Sequence, residues 1–173
     1  DVRLLQQALQ RDAAPRESTT GELAWDAGEG QVTVDTPRTQ GIVGFAGGTR
    51  VETQAAAFEL ETPFAVVLLS SLDGEPLPES KRILVSTSAD ARWTGVEVSE
   101  TGDEILSTGR WPFLMQPVEG RIVLKGAGVA TVHRLATNGA RLGELAVETT
   151  PDGLVLPLSA ANGCMHYEVV RDP

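Results

Sequence analysis

Apolar and polar residues alternate along most of the chain after residue 20, which is the pattern of half-buried β-strands. In residues 20–45, Leu23 and Trp25 share one face of a first predicted strand, and Val32 and Val34 share one face of a second. A glycine-rich turn separates these two strands, and a proline-containing corner leads into a third. Because core-type residues flank Trp25 in its strand, we expect its side chain to lie in the core.

Shorter apolar runs between turn residues predict the remaining strands. Residues 64–69 form the most apolar run and predict a central strand covered on both faces, paired with residues 82–86 across a loop. Later strands are predicted at 121–125, 129–136, 141–148, 154–158 and 165–170, with a turn at Ala127 and Gly128 and a hairpin at Asn138 and Gly139. The pattern predicts an all-β fold, an antiparallel β-sandwich (jelly-roll or Ig-like) of roughly ten to twelve strands with a short N-terminal helix.

The first residues have the spacing of a short amphipathic helix over 2–11. Its apolar positions at i, i+3 and i+7 are Val2, Leu5 and Leu9, with Leu4 and Ala8 beside them. A helix of this length is marginal alone, so its apolar face needs a partner, either the sheet or a neighbouring domain. We therefore divide the chain into an N-terminal helix and connector, residues 1–19, and a β-sandwich domain, residues 20–173.

The net negative charge of the chain limits the classes of molecule that it is expected to bind. The chain of 173 residues carries a formal net charge of −10, so nucleic acid and anionic membrane surfaces are not expected partners, whereas neutral polysaccharides are compatible with it. No apolar run approaches the ~20 residues of a membrane span. A single cysteine, Cys164, excludes an internal disulfide. The chain begins at Asp1 and both methionines are internal, so we expect a piece of a longer protein.

Catalytic patterns are weak in this sequence. His133 and His166 lie in separate predicted strands, and with the one cysteine they do not supply the three or four ligands of a zinc site. No GxSxG, P-loop or GxGxxG motif is present, and we interpret Ser70 and Ser71 as two ordinary hydroxyls. We therefore expect no catalytic residue, no metal site and no cofactor.

The acidic residues leave two alternatives open, glycoside hydrolysis and the binding of a structural calcium ion. Glycoside hydrolysis needs a pair of carboxylates about 5–10 Å apart, and the candidates by residue type are Asp26, Glu29, Asp35, Glu97 and Glu104. Among 24 acidic residues some pair lies this close by chance, so a small hydrolase is a weak alternative. The acidic loops at 26–29 and 100–104 have the oxygen-bearing residues that a structural calcium prefers, although neither matches a calcium-loop pattern.

Two tryptophans are the best candidates for a ligand platform. A sugar-binding face needs an exposed flat ring, because the apolar faces of pyranose rings stack on it while nearby polar groups bind hydroxyls. Trp93 and Trp111 lie in an irregular region and are flanked by Arg92 and Arg110. These four residues are our candidate carbohydrate-binding site. In the alternative interpretation, the two indole rings close the open ends of the sandwich.

Most of the chain also resembles the C-terminal β-sandwich of large bacterial proteins in which that sandwich follows a glycoside-hydrolase-like α/β barrel. The similar segments are TGELAWDAGEGQVTVDTPRTQGIVGF (20–45), SSLDGEPLPESKRILV (70–85), ARWTGVEV (91–98), PVEGRIVLKG (117–126), VHRLATNGARLGEL (132–145) and LPLSAANGCMHYEVVR (156–171). None of these segments is a catalytic motif, and the family pattern supplies no ligand residues to transfer.

The resemblance implies a non-catalytic accessory module that is packed on or tethered to a catalytic barrel. Such a domain is expected to bind polysaccharide or position substrate, and the predicted helix at 2–11 would then join it to the barrel. The resemblance also implies a parent protein that is secreted, to the extracellular space or the periplasm. The alternative is a purely structural sandwich that stabilises the barrel and binds no sugar.

Overall fold

The computed structural model describes residues 15–126 and 128–171, and the helix predicted at 2–11 lies outside them. Over the described residues the chain forms two antiparallel sheets and a separate two-stranded hairpin. The sheets pack face to face around one core, which confirms the predicted antiparallel β-sandwich.

Sixteen strands are present in the described residues, together with one short 3₁₀ helix at Ala160–Asn162. The strands are β1 (Arg16–Glu17), β2 (Leu23–Asp26), β3 (Gln31–Asp35), β4 (Thr39–Phe45), β5 (Arg50–Glu52), β6 (Ala56–Leu60), β7 (Phe64–Ser71), β8 (Arg82–Ser88), β9 (Ala91–Val98), β10 (Ile105–Met115), β11 (Gly120–Leu124), β12 (Ala130–Leu135), β13 (Arg141–Leu145), β14 (Glu148–Thr150), β15 (Gly153–Leu158) and β16 (His166–Arg171). This exceeds the predicted number, and most of the excess is due to β1, β5 and β14, which have only two or three residues each, too few to show an alternating pattern.

The larger sheet has nine strands in the order β1-β2-β3-β4-β7-β8-β16-β12-β13, and the smaller has five in the order β14-β15-β11-β6-β5. The predicted corner between β3 and β4 is confirmed, since the Thr36 hydroxyl donates to the Thr39 carbonyl at 2.8 Å and the Thr39 N–H returns to that hydroxyl at 2.9 Å. The predicted pairing of β7 with β8 is also confirmed, with Leu69 opposite Val85.

The core lies between the inner faces of the two sheets. Alternate residues of each strand point inward, as the period-two pattern requires. The fully buried apolar residues of this core include Ile42, Val67, Leu69, Ile83, Val85 and Val169 from the larger sheet and Phe58, Leu60, Ile122, Leu124, Leu154 and Leu156 from the smaller one. One continuous core of this kind makes the two sheets a single packing unit.

Strands lie where they are predicted on both sides of residues 127 and 128, but they belong to different sheets: β11 lies in the five-stranded sheet and β12 in the nine-stranded sheet. Ala127 itself lies outside the described residues.

One local prediction is wrong. Strand β7 is not covered on both faces by the described residues: Val67 is fully buried, whereas Phe64 on the opposite face is 40% exposed. The apolar run reflects one core face and one partly covered outer face.

Trp25 does not lie in the core, which corrects the expectation for this residue. Its indole is 41% exposed, on the face of the nine-stranded sheet that points away from the five-stranded sheet. The guanidinium of Arg16 lies 5.7 Å above the indole ring, within the range of a cation–π contact. Alternation correctly places Leu23 and Trp25 on one face, but that face is the outer one.

Candidate functional site

The β9–β10 hairpin interrupts the connection between the two sheets. It follows β8 in the nine-stranded sheet and precedes β11 in the five-stranded sheet, but it pairs with neither and forms a two-stranded sheet of its own. Many of its apolar side chains are exposed, and the large ones are Trp93, Val98, Ile105, Leu106, Trp111, Phe113, Leu114 and Met115. Apolar side chains concentrated on one projecting element are typical of an interaction site.

The pairing register of the hairpin brings three aromatic rings together. Trp93 lies opposite Phe113, and two extra residues between Arg110 and Phe113 form a bulge that includes Trp111. The ring centroids of Trp93 and Trp111 are 6.2 Å apart, with the planes inclined at 57°. Those of Trp93 and Phe113 are 5.3 Å apart in an edge-to-face arrangement. We call Trp93, Trp111 and Phe113 the ring cluster.

The ring cluster is open to solvent. The side chain of Trp111 is 76% exposed and that of Trp93 is 45% exposed, so neither ring closes an end of the sandwich in the described part of the chain. Aromatic pairs at these separations stabilise one another, which holds the rings in a fixed relative orientation without burying them. The cluster therefore offers an apolar surface whose geometry is set before a ligand arrives.

The two candidate arginines lie on the other face of the hairpin. Arg92 is opposite Leu114, and Arg110 is opposite Thr94, whereas Trp93 is opposite Phe113. Because side chains alternate across a strand, neither arginine shares the face of Trp93. Arg92 also forms an ion pair with Asp90. The structure thus brings together the two predicted tryptophans but separates them from Arg92 and Arg110.

Phe113, and Met115 two residues further along the same face, are not among the site residues predicted from the sequence. The turn residues around Gly102 predict a hairpin there. In an antiparallel hairpin with that turn, residues near 93 lie opposite residues near 113. The bulge at Trp111 shifts the register, and no sequence pattern indicates it.

A shallow apolar depression of about 410 Å³ lies at the base of the hairpin. Its lining includes Met115, Leu135, Leu142, Cys164 and Met165. Since Met115 is on the same side of β10 as Phe113, the depression continues the surface of the ring cluster toward the sandwich. A ligand longer than one ring could therefore extend from the cluster into this depression.

The tip of the hairpin is acidic and internally bonded. The Asp103 carboxylate accepts hydrogen bonds from the hydroxyls of Thr101 and Ser99, the latter at 2.9 Å. These bonds hold the pKa of Asp103 below its usual range. The Asp103 carboxylate therefore stabilises the turn at the tip of the hairpin.

A second depression, of about 730 Å³, lies elsewhere, on the outer face of the five-stranded sheet. Charged side chains line it and neutralise one another: Glu59 accepts from Arg121 at 2.7 Å and also from Arg50, and Arg50 donates to Glu52 at 2.8 Å. Hydrogen bonds from Arg121 lower the pKa of Glu59, with burial opposing them. These paired charges stabilise the surface of the sheet, and none of them is positioned as an acid–base pair.

Three other candidate side chains, those of Asp26, Asp35 and His166, have local structural partners. Asp26 accepts from the Glu29 N–H at 3.0 Å, and Asp35 accepts from the Gln54 N–H at 3.2 Å. His166 lies 3.3 Å from the Ser86 hydroxyl. Within residues 15–126 and 128–171, no three or more histidine, cysteine, aspartate or glutamate side chains are grouped so that they could hold a metal ion. Nor does any helix of this described part have the length and apolarity needed to cross a membrane.

Cys164 lies half-buried beside Tyr167, a core residue. Burial raises the pKa of Tyr167 to about 12; the Asn162 amide, which donates to its hydroxyl at 3.0 Å, lowers the pKa, while Cys164 raises it further. The tyrosine hydroxyl is thus a neutral, hydrogen-bonded part of the core.

Comparison with known proteins finds no match to this chain among protein-family models, curated sequences or solved structures.

Proposed function

We propose that this chain is a non-catalytic accessory β-sandwich module of a carbohydrate-active enzyme, and that it binds polysaccharide through the ring cluster. The observation that carries the proposal is the adjacency and exposure of Trp93 and Trp111 on a hairpin outside both sheets. Stacking of pyranose C–H faces on exposed indole rings is the physical basis of such binding.

The negative charge of the chain favours neutral polysaccharides over anionic ones as the ligand. The formal net charge is −10, and three of the acidic residues, Glu100, Asp103 and Glu104, lie at the tip of the hairpin that carries the ring cluster. An anionic chain of uronic acids or sulfated sugars would be repelled by this field at low salt, whereas a neutral polysaccharide would not. We therefore expect a neutral ligand, and no contribution from Arg92 or Arg110 on the opposite face.

Affinity electrophoresis through soluble neutral polysaccharides tests the proposal. We expect retardation of the full chain, a loss of affinity of about tenfold or more in Trp111→Ala and Trp93→Ala, and no change in Arg92→Ala or Arg110→Ala. Trp25→Ala is the matched control, since it removes an exposed tryptophan distant from the hairpin in sequence and in sheet position. The absence of retardation in every gel, or an equal effect of Trp25→Ala, would overturn the proposal.

A purely structural sandwich that packs on and stabilises a neighbouring catalytic barrel is the alternative. One observation favours it: the outer face of the nine-stranded sheet is apolar, with Trp25 and Phe64 exposed on it. Under this alternative, Trp111→Ala leaves mobility in polysaccharide gels unchanged. Polar substitutions on the outer face would instead weaken the association of this domain with its barrel.

A further inference from the structure

The outer face of the nine-stranded sheet carries a continuous set of apolar side chains. The pairing register places ten of them there, on neighbouring strands β2, β3, β4, β7 and β8: Leu23, Trp25, Val32, Val34, Val43, Phe45, Phe64, Val66, Leu68 and Leu84. All of them are exposed or half-buried in the described part of the chain. We call this set the apolar outer face.

The apolar outer face is organised as a packing surface. The rings of Phe45 and Phe64 meet edge to face, with centroids 5.1 Å apart. A Cβ at Gly41 would collide with the Val67 carbonyl oxygen and lie 2.8 Å from a methyl carbon of Leu68, so the leucine side chain packs against the bare glycine. A sheet face with this composition is normally covered by another layer of structure.

The first described strand lies at the edge of the sheet nearest this face. Strand β1 is the edge strand next to β2, and Arg16 pairs with Trp25. Antiparallel pairing with β2 directs the N-terminal end of β1 toward the end of the sheet where Phe45 and Phe64 lie. A segment that precedes β1 could therefore cover the apolar outer face without crossing the sandwich.

The length and pattern of the segment match the surface. The ten residues of the helix predicted over 2–11 would span ~15 Å, and the strands from β2 to β7 cover ~14 Å at the usual strand spacing. The apolar positions of this segment are Val2, Leu4, Leu5, Ala8 and Leu9, and the remaining positions of 2–11 are all arginine or glutamine. The ten residues of the apolar outer face carry no charge, so an occupant must present an apolar stripe of this kind.

We propose that residues 1–14 cover the apolar outer face of the nine-stranded sheet, with Leu5 and Leu9 packed among the side chains of β2, β3, β4 and β7. The segment is then the third layer of this domain. The proposal is independent of polysaccharide binding at the hairpin, because the ring cluster is not part of this face.

Paired cysteines test the proposed contact in the full chain. In a Cys164→Ser background, Leu5→Cys combined with Val43→Cys places two thiols at the proposed contact. Leu5→Cys combined with Val155→Cys is the matched control, because Val155 lies on the outer face of the five-stranded sheet, on the opposite side of the sandwich. We expect a short bismaleimide to cross-link the first pair within one chain at least about tenfold more efficiently than the control pair.

The accessibility of a single thiol gives a second measurement. Val43→Cys should react with a thiol reagent about tenfold faster when Leu4, Leu5 and Leu9 are replaced by serine, because the cover is lost. Val155→Cys should react at an unchanged rate, which shows that the sandwich stays folded.

Three outcomes would overturn the proposal. Equal cross-linking of the two pairs would show that the segment has no fixed position. Cross-links between chains would assign the face to a second copy of this chain. A thiol at residue 43 that is freely accessible in the intact chain would leave the face open for a neighbouring domain.

Discussion

Glu168 is 4% exposed, although its side chain points away from the core. Arg141 donates to one of its carboxylate oxygens at 2.7 Å, and Arg82 donates to the other at 2.9 and 2.6 Å. The hydrogen bond from Arg141 is the main cause that lowers the pKa of Glu168; burial opposes it and Arg82 adds to it. The carboxylate thus joins β16 to both β8 and β13.

Glu168→Gln should lower the free energy of unfolding by about 1–2 kcal/mol at pH 7, since the arginines lose an ionised acceptor but remain half-exposed to water. A lowered pKa means that the carboxylate stabilises the fold above the ordinary glutamate pKa and loses this effect as pH falls through the folded pKa. The difference between wild type and variant should therefore shrink below about pH 4. Urea denaturation at pH 7 and pH 3 measures it.

Glu52→Gln is the matched control for Glu168. Glu52 also accepts from two basic side chains, Arg50 and Lys125, but it is exposed. Because water screens an exposed ion pair, its replacement should change the free energy of unfolding much less than Glu168→Gln does. Equal effects of the two substitutions would show that burial of Glu168 is unimportant.

The β9–β10 hairpin depends on two facing glycines. Gly95 and Gly109 both adopt positive φ, at 73° and 71°. A Cβ at residue 109 would meet the backbone nitrogen of Val96 at 2.8 Å and the Cβ of Trp93 at 2.9 Å, whereas a Cβ at residue 95 would meet nothing within 4 Å. Glycine at 109 therefore permits the close approach of β10 to Trp93.

Gly109→Ala should displace Trp93 and reduce polysaccharide affinity by about tenfold or more, with little change in overall stability because the hairpin lies outside the core. Gly95→Ala is the control: it introduces the same backbone strain, of order 1 kcal/mol, without the collision. Tryptophan fluorescence and affinity electrophoresis measure the two effects. Identical behaviour of the variants would attribute both to strain alone.

The two sheets share one core, so the described sandwich should unfold as a unit. Phe58 on β6 is fully buried among residues of both sheets. Phe58→Ala should cost about 3–5 kcal/mol, because the cavity is only partly refilled. Val155→Ala, on the outer face of the smaller sheet, should cost less than about 1 kcal/mol. Urea denaturation followed by far-ultraviolet circular dichroism checks this, and two separate transitions would contradict the shared core.

The sequence predicted local strands well, because alternation and turn residues are properties of short segments. Strands β2, β3 and β4 and the hairpin from β12 to β13 all lie where the pattern placed them. Alternation could not show which face of a strand is covered, since that depends on other strands. Trp25 is the clear example: alternation shows that it shares a face with Leu23, but it does not show that this face points away from the core.

The candidate site was predicted in part. Trp93 and Trp111 are adjacent, as a platform requires, but Phe113 and the separation from Arg92 follow from the register and bulge of the hairpin. Register is a relation between two strands, and flanking residues along one strand necessarily point to opposite faces. Arginine next to tryptophan in sequence is therefore a poor guide to arginine beside tryptophan in space.

The position of β16 has a consequence for synthesis. This strand, the last one described, lies within the nine-stranded sheet between β8 and β12, and Arg82 pairs with Val170. The sheet cannot be completed until residues 166–171 have emerged from the ribosome, so the edge of β8 stays unpaired throughout translation of the intervening chain. Such long-range closure slows folding and prolongs the exposure of an aggregation-prone edge. Efficient production of this domain therefore depends on protection of that edge during translation.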